Sequence, residues 1–375
     1  MDYVHVLTRR MLLIAAGLAL CAALALPATA NAKPGMELAL QDDAVFVEQY
    51  WYNRDAAFQN LQDLGVTNLR VNVIWRNVSP NPRSKRSPRS FNYNFWRYDE
   101  VVNHAAAYGI RVQMALTGPA PRWAAGHKNG VYKPKASRFA GFARATAAHF
   151  QGRVSRYSIW NEPNHPGWLQ PRRSAARLYR SLYSAGYRGV KSKDPSAQVL
   201  FGELAPYGRR GGSSAESPMI FLRKATCSNA RFTRRRCKAL RADGFAHHPY
   251  DFVRPPHRRN PDRNGVTMAN LGRLTKALSR LRRTRALRTP SGGVLPLYLT
   301  EFGYLRQGRK RLSERKRASY LVRAYKIARR NSKVQQMTHY LLVTPGSRWS
   351  FFDTSLMNRG GSPYRSYRAL RSFGR

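Results

Sequence analysis

Cysteine is scarce in this chain, with three in 375 residues. Cys21 lies near the N-terminus, and Cys227 and Cys237 flank the basic stretch SNARFTRRR. Such sparse thiols, with no further ligands nearby, speak against a metal site. In an oxidising compartment the last two are expected to form a disulfide that pins the basic loop. Acidic residues are also few, 19 against 66 lysines and arginines, for a formal net charge of +47. A surface of that sign adheres to polyanions. The patches Arg83–Arg89, Arg231–Arg236 and Arg306–Arg317 are its densest parts. The charge is not gathered into one helix or arm and no nucleic-acid motif accompanies it, so no specific nucleic-acid partner is expected. An anionic cell-wall polymer is one partner it implies, and a merely solvated arginine-rich surface is the other reading.

Long apolar runs are missing too. The one extended stretch, Met11 to Leu26, is shorter than the roughly 20 residues a membrane span needs. Arg9-Arg10 precede it and PATANA follows. That is the pattern of a secretion signal, with cleavage expected after Ala32, or else after Ala30. Residues 1–32 are therefore assigned to export and residues 33–375 to one (β/α)8 glycoside hydrolase-like catalytic domain, secreted and with no membrane attachment after cleavage. The chain lacks a GxSxG elbow, an HExxH pair and a glycine-rich phosphate loop. No cofactor and no metal is implied. No low-complexity linker divides the mature chain.

What the chain does have is a rhythm. Short β-prone runs fall at 36–41, 68–74, 110–116, 156–160, 198–202, 244–248, 295–300 and 337–343, with segments of helical period between them. RDAAFQNLQDLG sets Phe58, Leu61 and Leu64 on one stripe and stops at Gly65. Eight such units predict a parallel barrel ringed by helices, the TIM fold, whose chemistry sits where the strands end. The fourth strand ends in Asn161-Glu162 and the seventh in Glu301. A carboxylate at the end of a buried strand loses hydration unless partners or function support it. Two facing each other across one barrel mouth are what glycoside hydrolysis requires.

WNEPN and LTEFGY, in that order on an expected barrel, resemble the cellulase-like glycoside hydrolases of the retaining TIM-barrel clan, clan A. The resemblance runs from about Gly35 to the C-terminus. It implies that Glu162 is the acid/base and Glu301 the nucleophile, and that the substrate is a β-linked oligo- or polysaccharide. The His-x-Tyr of strand six matches His248-Pro249-Tyr250, the strand-two arginine matches Arg70, and the strand-eight tryptophan matches Trp349. Strand three carries no histidine before His127, where many clan members place one, so the sugar and linkage stay open. On this reading Asn161 bonds the sugar's 2-hydroxyl, and Arg70 and Tyr250 hold Glu301 in place and ionised. His248 orients the network, and Trp349, Trp168 and Trp123 offer stacking faces. The rival reading is a non-catalytic, cationic wall-binding or polyanion-binding protein on a hydrolase-derived barrel.

Overall fold

The computed structural model describes residues 35–208, 214–346 and 352–374. The segment assigned to export and Trp349 lie outside the described residues.

Eight strands close a barrel: β1 Glu37–Gln41, β2 Asn68–Ile74, β3 Arg111–Thr117, β4 Arg156–Ile159, β5 Gln198–Leu204, β6 Gly244–His247, β7 Leu297–Leu299 and β8 Val334–Tyr340. They are hydrogen-bonded in chain order, every pair is parallel, and β8 pairs back onto β1. After each strand comes one helix of the outer ring: α1 Arg54–Asp63, α2 Trp96–Ala107, α3 Ala136–His149, α4 Ala175–Lys191, α5 Pro218–Ala225, α6 Leu271–Arg283, α7 Glu314–Arg329 and α8 Arg365–Gly374. The fold is a (β/α)8 TIM barrel.

Local chemistry sets these elements. Asn53 accepts the Ala56 amide at 2.9 Å and starts α1, whose Ala57, Phe58 and Leu61 are buried. Ser313 accepts the Lys316 amide and starts α7 in the same way. Near-continuous apolar strands such as VQMALT in β3, buried along its length, are the mark of a sheet covered on both faces.

The barrel's N-terminal end is closed by polar groups. Arg156, the first residue of β4, bonds Glu37 at 2.7 Å, Gln198 at 2.9 Å and Gln336 at 2.6 Å, and its guanidinium lies 4.5 Å from the Tyr298 ring centroid. A small parallel pair, Leu240–Arg241 with Leu287–Arg288, sits outside the barrel. Cys227 and Cys237 are joined by a disulfide.

Strand eight starts and ends three residues earlier than the 337–343 expected from apolar patterning. Leu341 turns out of the sheet at φ 69°. Asp42 then accepts the Leu342 and Val343 amides, each at 3.1 Å, so these apolar residues hydrogen-bond to a side chain instead of to a strand. Strand five runs two residues past its expected end, for a reason that bears on the site.

Candidate active site

The end of β4 explains the abrupt stop in RYSIWNEPN. Trp160 donates its amide to Leu116 O at 2.8 Å as the last tie to β3, then takes φ 68°, and Glu162 takes φ 36°. Two left-handed, non-glycine residues so close together are strained and persist only where the surroundings hold them. The Trp160 ring is fully buried against Phe139, and its indole N–H donates to Trp168 O at 3.0 Å. Asn164 clamps the other side of the turn. Its Nδ2 donates to Ala205 O at 3.1 Å and Glu216 O at 2.8 Å, and its Oδ1 accepts the Ala205 amide at 2.9 Å. Glu162 is thereby turned into the mouth of the barrel with its side chain 19% exposed.

Glu301 follows β7 and is almost closed off, with a side-chain exposure of 10%. Arg70 Nη1 lies 3.0 Å from its Oε1, and the Tyr250 hydroxyl donates to its Oε2 at 3.3 Å. His248 joins the two carboxylates: its Nδ1 is 3.1 Å from Glu162 Oε1 and 3.5 Å from Glu301 Oε2. The structure thus brings Glu162, Glu301, Arg70, Asn161, His248 and Tyr250 into one cluster. Asn161 Oδ1 accepts from Arg70 Nη2 at 3.0 Å, and its amide nitrogen has no acceptor among the described residues.

Glu203 lies at the centre of this cluster. Among the carboxylates near the mouth the sequence marks it as subsite or structural, and its full burial decides for the second. It reaches the interior because β5 bulges: pairing with β6 slips between Gly202 and Leu204, Gly202 has φ 124° and Glu203 φ 50°. A side chain on Gly202 would place its Cβ 2.3 Å from Ala246 O. The bulge delivers the Glu203 carboxylate to Arg70 Nη2 at 3.1 Å, His248 Nε2 at 2.7 Å and Thr300 Oγ1 at 2.6 Å. Only the pairing register produces this position, so strand periodicity could not reveal it.

The electrostatics follow from burial and pairing. Burial works against a charge on His248, but Glu301, Glu162 and Glu203 outweigh it and lift the imidazole to about 10. Burial works against the charge on Glu203 too, and there Arg70 and His248 prevail, holding it down at about 2. For Glu301, burial pushes the pKa up, His248 and Arg70 pull it down, and the charges of Glu162 and Glu203 add to the upward push. The expectation that this group simply stays ionised therefore understates how much its desolvation costs.

At strand one, Asp42 and Asp43 cap and brace. Asp42 accepts the Val45 amide at 3.3 Å, and burial lifts its pKa to about 7. Asp43 holds the Asn72 amide at 2.7 Å and Gln41 Nε2 at 2.7 Å, and Gln41 in turn accepts from Arg70 Nη1.

Of the aromatic candidates, Trp168 is partly buried and keeps an open edge. Trp123 does not serve as a stacking face. It is 3% exposed, packs edge-on against Trp75 and Phe91, and donates its indole N–H to Pro80 O. The loop after β3 folds against Trp75, Phe91 and Pro80, and these contacts bury the ring. Aromatic groups that sequence reading passes over surround Tyr250, the donor to Glu301. Tyr250 stacks on Phe252 and Phe302, and Phe352 meets Tyr250 and Tyr340 edge-on. His-x-Tyr could have pointed to Phe252, two residues further along; Tyr340 and Phe352 carried no motif.

Two partly exposed carboxylates at the C-terminal strand ends of a (β/α)8 barrel define a glycoside hydrolase architecture. The chain belongs to the cellulase family (glycosyl hydrolase family 5), whose family model matches residues 29–218. That match contains Glu162 and stops short of Glu301. The fold resembles a family 39 glycoside hydrolase from the gut symbiont Bacteroides cellulosilyticus WH2, with TM-score 0.67 and 17% identity, covering 90% of this chain and 63% of that one. It also resembles the endoglucanase Cel5A from Thermotoga maritima, with TM-score 0.54 and 16% identity over 89% of this chain and 96% of that one. Among characterised sequences, a β-glucosidase-like chloroplastic protein, SFR2, of Oryza sativa subsp. japonica is 23% identical over 118 residues, 31% of this chain and 18% of the rice protein. The chain thus spans under a fifth of the rice protein and under two thirds of the Bacteroides enzyme. Among the described residues, no helix is long and apolar enough to cross a membrane, and no group of histidine, cysteine and acidic side chains could hold a metal ion.

Proposed function

We propose that this protein is an exported retaining glycoside hydrolase acting on β-linked oligo- or polysaccharide, with Glu301 as nucleophile and Glu162 as acid/base. One observation carries the reading: the two carboxylates meet the same nitrogen, His248 Nδ1, at 3.1 and 3.5 Å. Those two distances end to end cap the gap between their nearest oxygens at the lower edge of the inverting range, so the retaining assignment rests on the clan resemblance and the product's anomeric configuration tests it. A spacing of about 5–5.5 Å suits double displacement, whereas inversion needs about 6.5–9.5 Å to admit a water between them.

The charges support the same division of labour. Glu162, Glu203 and Glu301 all face Arg70 or His248. Glu301 receives two direct donors, Arg70 and Tyr250, and Glu162 meets only His248. In the first step Glu301 attacks the anomeric carbon, the glycosidic C–O bond breaks, and Glu162 gives its proton to the departing oxygen. In the second, Glu162 takes a proton from water, whose oxygen bonds to the anomeric carbon and releases Glu301. In this reading the Asn161 amide nitrogen bonds the sugar's 2-hydroxyl, while its Oδ1 accepts from Arg70. Phe252, Phe352 and Trp168 supply apolar surface for ring faces.

Residues 1–32 act as the export signal in this reading, which leaves a domain from residue 33 onward whose disulfide suits an oxidising compartment. The test is a panel of aryl β-glycosides and defined oligosaccharides, followed by mass spectrometry of the protein after a 2-fluoro-glycoside. Turnover with a glycosyl adduct on Glu301, both lost in Glu301→Gln, is the expected result. Turnover retained in that variant, or a first product of inverted anomeric configuration, would overturn it.

A further inference from the structure

Glu203 is fully buried, yet it is one of three carboxylates that share the cations Arg70 and His248. Its Oε2 alone takes Arg70 Nη2 at 3.1 Å, His248 Nε2 at 2.7 Å and Thr300 Oγ1 at 2.6 Å. The far ends of the same two cations reach the mouth. Arg70 Nη1 meets Glu301 Oε1 at 3.0 Å, and His248 Nδ1 lies 3.1 Å from Glu162 and 3.5 Å from Glu301. Both cations are thus held from behind by one oxygen. Stability is a poor reason for this arrangement, because a buried ion cluster is often no more stable than apolar packing of the same volume. The chain also accepts strain to build it: Glu203 sits at φ 50°, in a bulge whose Gly202 has no room for a side chain. Double displacement supplies a better reason. Glu301 exchanges its charge for a glycosyl ester, and Glu162 gives up and regains a proton. Both partners on the mouth side of Arg70 and His248 therefore change charge in every turnover. Glu203 is closed to solvent, and Arg70 and His248 hold its pKa down at about 2, so its charge stays constant.

We propose that Glu203 is a positioning residue of the reaction: it anchors Arg70 and His248 from beneath and sets the pH window in which the two mouth carboxylates work. This role rests on the assignment of Glu301 and Glu162 made above. The titratable groups that face Glu203 are Arg70 from β2, Tyr179 from α4, His247 and His248 from the end of β6, and Glu301 from the end of β7. His248 in turn meets Glu162 from the end of β4 and lies beside Tyr250. Burial holds His247 down at about 4 and pushes both tyrosines up, so these three stay neutral near pH 7. Removing one negative charge makes every remaining proton of a coupled cluster easier to lose, whichever group carries it. Both limbs of a bell-shaped pH–rate profile then move to lower pH.

The test is Glu203→Gln in the full chain. Its amide oxygen can take the place of Oε2 and keep all three donors, so the change removes the charge and spares the bonds. Glu37→Gln removes an equal charge at the N-terminal end of the barrel, where Glu37 pairs with Arg156, and serves as the control. The pH dependence of kcat/KM is measured with an aryl β-glycoside, and circular dichroism checks folding. Glu203→Gln should move both limbs to lower pH by about one unit, and Glu37→Gln should leave them in place. A lower plateau with unmoved limbs would make Glu203 structural only, and equal shifts in the two variants would show a long-range effect of net charge; either result overturns the proposal. If Glu203→Gln does not fold, Glu203→Asp draws the charge back by one carbon and should move the limbs the same way by less; unmoved limbs there overturn it too. Wild-type turnover with a glycosyl adduct on Glu301 is measured first. Without it the catalytic assignment falls and takes this role with it, whereas its presence beside unmoved limbs removes the role of Glu203 alone.

Discussion

His248 Nε2 lies 2.7 Å from Oε2 of Glu203, and both side chains are closed to solvent. The imidazole of this pair lies beneath the two mouth carboxylates. Its pKa of about 10 against 6.5 in the unfolded chain gives the sign of a pH effect. A raised folded-state value adds stability that is complete below pH 6.5 and is lost as pH rises toward 10. Chemical unfolding of the wild type should show falling stability across that window. His248→Asn should be less stable at pH 6 and show a flatter alkaline limb; parallel limbs in the two proteins would mean the imidazole is neutral.

Arg70 ties Glu203 and Glu301 together while fully buried. Arg70→Met leaves two carboxylates without their counter-charge, and breaking a buried pair from one side costs about 3–5 kcal/mol. Thermal or urea unfolding measures the loss. A change under 1 kcal/mol would show that water reaches the cluster and replaces the guanidinium.

Gly202 shapes the site without touching substrate. Gly202→Ala meets both a positive φ and Ala246 O at 2.3 Å from the new Cβ, so β5 must shift. That movement pulls Glu203 from His248. The variant should lose stability and also shift the acidic limb of its pH–rate profile, which a distant packing defect would leave in place.

Glu162→Gln removes the proposed acid and leaves Glu301 intact. General acid–base catalysis contributes about 10²–10⁴-fold. The loss in kcat/KM should approach that range for alkyl leaving groups and shrink for dinitrophenyl ones, which depart without a proton. Equal losses for both would assign Glu162 a structural role.

Cys227 and Cys237 close a loop of sequence separation 10. Chain entropy for a loop that short gives about 2–3 kcal/mol. The double Cys→Ser variant should unfold earlier by that amount, at unchanged turnover, because the loop lies between α5 and β6 and contributes nothing to the mouth.

Much of the site could be read before any coordinates. Glu162 and Glu301 stood out because strand periodicity ends on them, and His248 and Tyr250 because they follow the sixth strand. Trp123 misled: its loop position is visible in sequence, but the fold-back that buries its ring depends on Trp75 and Phe91, 48 and 32 residues upstream. Phe252 after β6 and Phe352 after β8 converge on Tyr250, and no local pattern marks such convergence.

By itself, the sequence determined the alternation of eight strands and eight helices and the two carboxylates at strand ends, because periodicity and turn chemistry are properties of neighbouring residues. Tertiary structure alone decided that Glu203 would be pushed inward by a bulge and that His248 would hold two glutamates on one nitrogen. Those depend on register and closure of the barrel, and residues far apart in the chain acquire a shared dielectric and shared protons only when the sheet closes around them.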